Sequence, residues 1–185
     1  MRHRSLLRRI GGWMAATTLL AIIAAPRVIA QAPDSEEISQ LLTEARSHAN
    51  QAADDGATLA SYTRSTLAWQ THNAKLAEMA EHVNALGRIN KQLNDLRPEG
   101  SPWQQKAIGQ IDSLLRDMAA QLTATLKHLD DNKARIHMLA YQDYARATYE
   151  RAERTAQMIS DFVEYDKASA KAESLEQKLE LDEKS

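Results

Sequence analysis

Five histidines lie beyond residue 30, at positions 48, 72, 82, 128 and 137, and they are the first residues to test for chemistry. Glu78 and His82 stand four apart, so on a helix they share a face and could offer a metal two ligands. No second pair of this kind accompanies them. The carboxylates with Glu-x-x-His that di-iron bundles set on facing helices are also missing. The pattern therefore predicts a solvated helix pair and no metal site.

Met79, Met118, Met138 and Met158, with His137 beside Met138, are soft ligands of the kind copper accepts. They occur singly, one per stretch, and methionine at helical spacing fills gaps in apolar cores. Tyr141, Tyr144 and Tyr149 lie among Arg146, Arg151 and Arg154, a combination that can stack on bases or sugars. Asp143, Glu150 and Glu153 neutralise that patch, and Glu150 precedes Arg154 by four as a favourable helical ion pair. Trp69 and Trp103 could line a ligand groove, although Trp103 directly follows a helix start and is expected to pack over that turn.

No Gly-rich elbow accompanies any serine, and no phosphate-cradling loop is present. The absence of cysteine removes disulfides, thiol catalysis and Cys-ligated zinc from consideration. The expectation is a chain that is not an enzyme and carries no cofactor.

Charge is unevenly placed. The formal net charge is −2, yet residues 1–30 hold five arginines (2, 4, 8, 9 and 27) and no acid. The remainder has 18 basic against 25 acidic side chains, or −7. An acidic body is unsuited to general nucleic-acid binding, which needs cations to displace phosphate counterions.

The first thirty residues read as a secretory signal peptide. Residues 1–9 are basic. Residues 10–26 are uncharged, with an apolar heart at 19–25, and Pro26 ends the run. Val28-Ile29-Ala30 presents short side chains where signal peptidase reads, which places the cut between Ala30 and Gln31. A membrane anchor is the competing reading, but a run of about 17 residues rich in Ala, Gly and Thr falls short of the roughly 20 strongly apolar residues of a spanning helix. No stable membrane span is expected after cleavage. The pattern suits general bacterial export better than the twin-arginine route, and implies a periplasmic or secreted protein.

The elements behind these residues read as helices. Ile38, Leu42, Ala45, Ala49, Ala52 and Leu59 recur at three and four, as do Leu76, Met79, Val83, Leu86, Ile89, Leu93 and Leu96. Asp54-Asp55-Gly56 is the expected break or kink between these stretches, since glycine weakens a helix by about 1 kcal/mol against alanine. Residues 97–102 form a turn in which Pro98 should push Arg97 out of helical geometry. Ser101 then caps a new helix, with Pro102 at its first position and Gln104 completing a capping box.

Ile108, Ile111, Leu115, Met118, Leu122, Leu126 and Leu129 carry the stripe onward to Ile136 and Leu139. Asp130-Asp131-Asn132 either separates two helices or lies within one unbroken helix. From 166 the chain is a charged tail with a thin seam of Ala168, Ala172, Leu175 and Leu179, as in a two-stranded coiled coil.

With a single phenylalanine, Phe162, and many alanines, the core favours a slim bundle. The fold expected is all-α, an antiparallel bundle of three or four helices, with a long helical hairpin as the alternative. The division expected is a signal peptide at 1–30, a short linker at 31–36, a helical bundle at 37–165 and the tail at 166–185. Function is expected to be non-enzymatic: a protein-binding or scaffold module of the cell envelope that engages a protein partner or another copy of itself. A small-ligand or metal-binding bundle, or a chaperone-like helical protein, are the other readings.

Overall fold

The structure is a computed structural model and describes residues 33–183. The signal peptide expected at 1–30 and the cut expected between Ala30 and Gln31 lie outside the described residues. Four helices follow: α1 Glu36–Tyr62, α2 Trp69–Leu96, α3 Pro102–Asp131 and α4 Leu139–Glu183. Short 3-10 turns at Arg97–Glu99 and Lys133–Arg135 join α2 to α3 and α3 to α4. The protein is an all-α four-helix bundle, and the long hairpin does not occur.

Each helix packs on its chain neighbours, and α1 packs also on α4, which closes the ring. Side-chain pairs set the direction. His48 meets His82 and Asp55 meets Lys75, so position falls along α2 as it rises along α1. Ser39 bonds Asp166 while the later Gly56 lies against Tyr149, which makes α4 antiparallel to α1 as well. Stripes at three- and four-residue spacing fill the core: Ile38, Leu42 and Leu59 from α1, Leu76, Met79 and Leu86 from α2, Ile108, Ile111 and Met118 from α3, Ile159 and Val163 from α4.

The face of α4 towards the core is small and partly polar. Ala145, Thr148, Ala152 and Thr155 are buried there, and α1 buries Ala45, Ala49, Ala52 and Gly56, the last against Tyr149 of α4. Small side chains let these two helices approach closely. The buried hydroxyls remain paired: Thr125 and Thr148 Oγ1 lie 2.7 Å apart, and Thr155 donates to the Arg151 carbonyl at 2.8 Å.

Several local expectations are corrected. Asp54-Asp55-Gly56 is not a break, because α1 runs through it and Gly56 is buried beneath α4. A Cβ at Gly56 would lie 3.0 Å from the Tyr149 Cα, so glycine here serves close packing rather than a turn. The break comes at 63–68, where hydroxyls close the helix: Thr63 donates to the Ala60 carbonyl at 2.7 Å and Ser65 to the Tyr62 carbonyl at 2.6 Å.

Arg97 is not expelled from helical geometry, since its φ of −50° and ψ of −40° start the 3-10 turn. Proline only biases the residue before it, and the extended residues of the turn are Gly100, with ψ 154°, and Ser101, with ψ 164°. Near 130 the two-helix alternative holds: α3 ends at Asp131, and Asn132 turns its amide back to the His128 carbonyl at 3.0 Å. At 166 the backbone shows no boundary, and α4 continues past the bundle.

Candidate functional site

Four places gather residues able to bind or react. The first is the end of the bundle where α1 and α3 begin. Gln104 is fully buried there. Its Oε1 accepts the Ser101 N–H at 3.1 Å and the Ser35 N–H at 2.9 Å. Its Nε2 donates to the Ser35 carbonyl at 3.0 Å and to Ser39 Oγ at 3.3 Å. The side chain thus completes the local half of a capping box and also ties α3 to the start of α1. The Ser101 hydroxyl is positioned for the reciprocal half, but it is buried and finds no partner in hydrogen-bond geometry among the described residues. Trp103 Nε1 donates to Asp34 at 2.6 Å, and its ring meets Tyr165 edge-on at 5.0 Å.

The second place is the opposite end. His72 is buried, its Nδ1 is 3.1 Å from the Tyr141 hydroxyl, and its Nε2 has no partner among the described residues. Burial, followed by the nearby His137 charge, holds the His72 imidazole below its ordinary value. Burial pushes the Tyr141 phenol well above the usual tyrosine range. Tyr62 meets His72 edge-on at 5.7 Å, and His128 stacks on Tyr144 at 4.4 Å. Lys133 sits 4.9 Å over the Trp69 ring. Trp69 and Trp103 therefore belong to opposite ends of the bundle and share no groove.

The third place is the α1/α2 seam. Glu78 does not act beside His82; Lys75 takes it as an ion-pair partner. The partner of His82 is His48, with Nδ1 atoms 3.3 Å apart, so one ring donates to the other. Asp55 Oδ2 lies 3.7 Å from His82 Nε2, and Asp55 Oδ1 accepts from Lys75 at 3.1 Å. Glu78 first, and then Asp55, hold the Lys75 ammonium above its ordinary value. This polar strip ties two helices together. Among the described residues no group of three or more His, Asp and Glu side chains is arranged to hold a metal.

The remaining candidates separate. Met79 and Met118 are core residues, Met158 is half-buried and Met138 is exposed ahead of α4. Tyr141 is consumed by the core, while Tyr149 donates to Glu153 at 2.7 Å. Arg146 pairs with Asp143 at 2.7 Å and approaches Glu150 at 3.9 Å, so Glu150 faces Arg146 rather than Arg154.

The fourth place is the tail. Asp166, bonded to Ser39 at 3.0 Å, is the last residue of α4 seen to hydrogen-bond to α1. Burial, offset in part by that bond, keeps its carboxyl above the ordinary aspartate value. Beyond it Ala168, Ala172, Leu175 and Leu179 are exposed, the two leucines by 50% and 66%. Among the described residues no helix is long and apolar enough to cross a membrane.

The long reach of Gln104 and the Asp55–His82–His48 strip were not anticipated from sequence. A signal for the strip was present: His48 and Asp55, like Lys75 and His82, stand two helical turns apart on one face. No protein-family model, no curated protein and no solved structure matches the chain.

Proposed function

We propose that the chain is a non-enzymatic, exported helical protein that works as a protein-binding or scaffold module in the cell envelope. Its working surface is the part of α4 beyond the bundle, and its occupant is an amphipathic helix with a narrow apolar seam flanked by charges. The observation that carries this reading is the exposure of Leu175 and Leu179, at 50% and 66%, on a helix that has left its own core. Water-facing leucines in register with Ala168 and Ala172 make the seam that a second helix covers in a coiled coil. Export rests on the basic, apolar and small-residue segments of positions 1–30.

Deleting residues 172–185 tests the reading. The thermal midpoint of the bundle should stay within about 2 °C, because a loss of 1 kcal/mol already moves a domain of this size by about 2–4 °C. The mass of the native protein in envelope extracts should fall from that of a complex to that of a monomer. A lower midpoint with an unchanged mass would place the tail in the core and overturn the reading.

A further inference from the structure

Resting on the reading of the tail as a helix-pairing surface, we propose that its partner is a second copy of this chain, paired parallel and in register through residues 168–179. The seam fixes the frame. Ala168, Ala172, Leu175 and Leu179 follow one another at four, three and four, which are the d, a, d and a positions of a heptad. In that frame Lys171 and Lys178 take g positions, and Glu176 takes an e position. In a parallel pair, a g residue faces the e residue five further along on the other helix. Lys171 of one copy then meets Glu176 of the second copy, and by symmetry the contact forms twice. Lys178 and Glu183 have the same offset in the sequence.

An antiparallel pair would instead set g against g and e against e, lysine facing lysine and glutamate facing glutamate. The charge order thus selects both the partner and its direction. Lys171, Glu176 and Lys178 are exposed and make no ion pair among the described residues, whereas Glu164, one heptad earlier at g, is held by Arg46 at 3.0 Å. The free part of the seam therefore starts where α4 leaves the bundle. Leucine at d position 175 is the choice that suits two strands. The alanines at 168 and 172 keep the interface narrow and the pairing reversible.

Charge reversal with complementation tests this. Sedimentation equilibrium of the purified protein across a concentration series should show reversible dimers. Lys171→Glu places glutamate against glutamate, and Glu176→Lys places lysine against lysine. Each variant alone should dimerise about tenfold more weakly, the order expected when two symmetric attractions become repulsions. Mixing the two variants restores Lys–Glu facing at both contacts, so the mixture should form a heterodimer at least as tight as the wild type. Circular dichroism should show an intact bundle in both.

A wild type that stays monomeric, variants that dimerise like the wild type, or a mixture that fails to recover would each overturn the proposal. The 172–185 deletion separates these failures from that of the underlying reading. If it abolishes envelope complexes while the reversals do nothing, the tail pairs with a different protein and the self-pairing is wrong. If complexes survive the deletion, the tail reading itself fails.

Discussion

Gln104 uses both acceptor directions and both donors of its amide at once, joining the caps of α1 and α3. Gln104→Leu removes all four bonds and leaves buried backbone groups unpaired, which should cost about 2–4 kcal/mol in urea unfolding. Ser101→Ala should cost less than about 0.5 kcal/mol, well below the usual value for a serine cap, because its hydroxyl makes no hydrogen bond among the described residues. The reverse order would mean that the hydroxyl carries the cap.

His72 gives the protein a pH response. Its folded pKa lies below the unfolded value of 6.5, so the unfolded chain takes up the proton first as pH falls. Stability from keeping this ring neutral is complete above 6.5 and drains as the pH falls below it. Asp166, held above its ordinary value of 3.8, acts in the opposite sense and in a lower window, where the folded state binds the extra proton. Denaturant midpoints between pH 7.5 and 5 should therefore fall for the wild type. They should fall less for His72→Gln, which keeps a hydrogen-bonding group for Tyr141 but cannot titrate. Equal slopes would remove His72 as the cause. At this scale sequence reveals local chemistry well, as in the Gln104 cap, but not partners brought from 69 residues away, as Ser35 is.

Two glycines within helices should respond oppositely to the same substitution. At Gly87 nothing lies within 4 Å of an added Cβ, so Gly87→Ala should stabilise α2 by about 1 kcal/mol through helix propensity. At Gly56 the added carbon would meet the Tyr149 backbone at 3.0 Å. Overpacking at about 1–3 kcal/mol then outweighs the propensity gain, and Gly56→Ala should lower the thermal midpoint. A stabilised Gly56→Ala protein would show that α1 and α4 can part without loss. Helix existence was legible in α1, α2 and α3 because their apolar stripes repeat over many turns, whereas the core face of α4 is small and partly polar and carries no such stripe. The α1/α2 break was not legible, since Ser61, Thr63 and Ser65 end the helix with hydroxyl-to-carbonyl bonds that leave no proline or glycine signature. Conversely, Gly56 carries a breaker's signature at a place where only close packing requires it.

At the scale of the whole molecule, the four helices bury their stripes against one another, and α4 extends beyond them. Residues 167–183 add about 25 Å of helix at 1.5 Å per residue. A segment of this length gains little stability alone, because nucleation is costly and few hydrogen bonds follow it. The tail seam was readable from the four-three-four spacing. The shift to charged residues set the tail's expected start at 166, but did not reveal that one helix carries both tail and bundle, with Ile159 and Val163 buried in the core upstream. Position-resolved amide hydrogen exchange on the purified protein, from dilute to concentrated, tests most directly whether the tail is a pairing surface. Exchange should be slow throughout the bundle at every concentration. Over 168–179 it should be fast in dilute protein and slow as concentration rises and pairs form. Tail amides as protected as those of Leu42 or Ile111 in the dilute monomer, or equally fast at all concentrations, would contradict a pairing role for the tail.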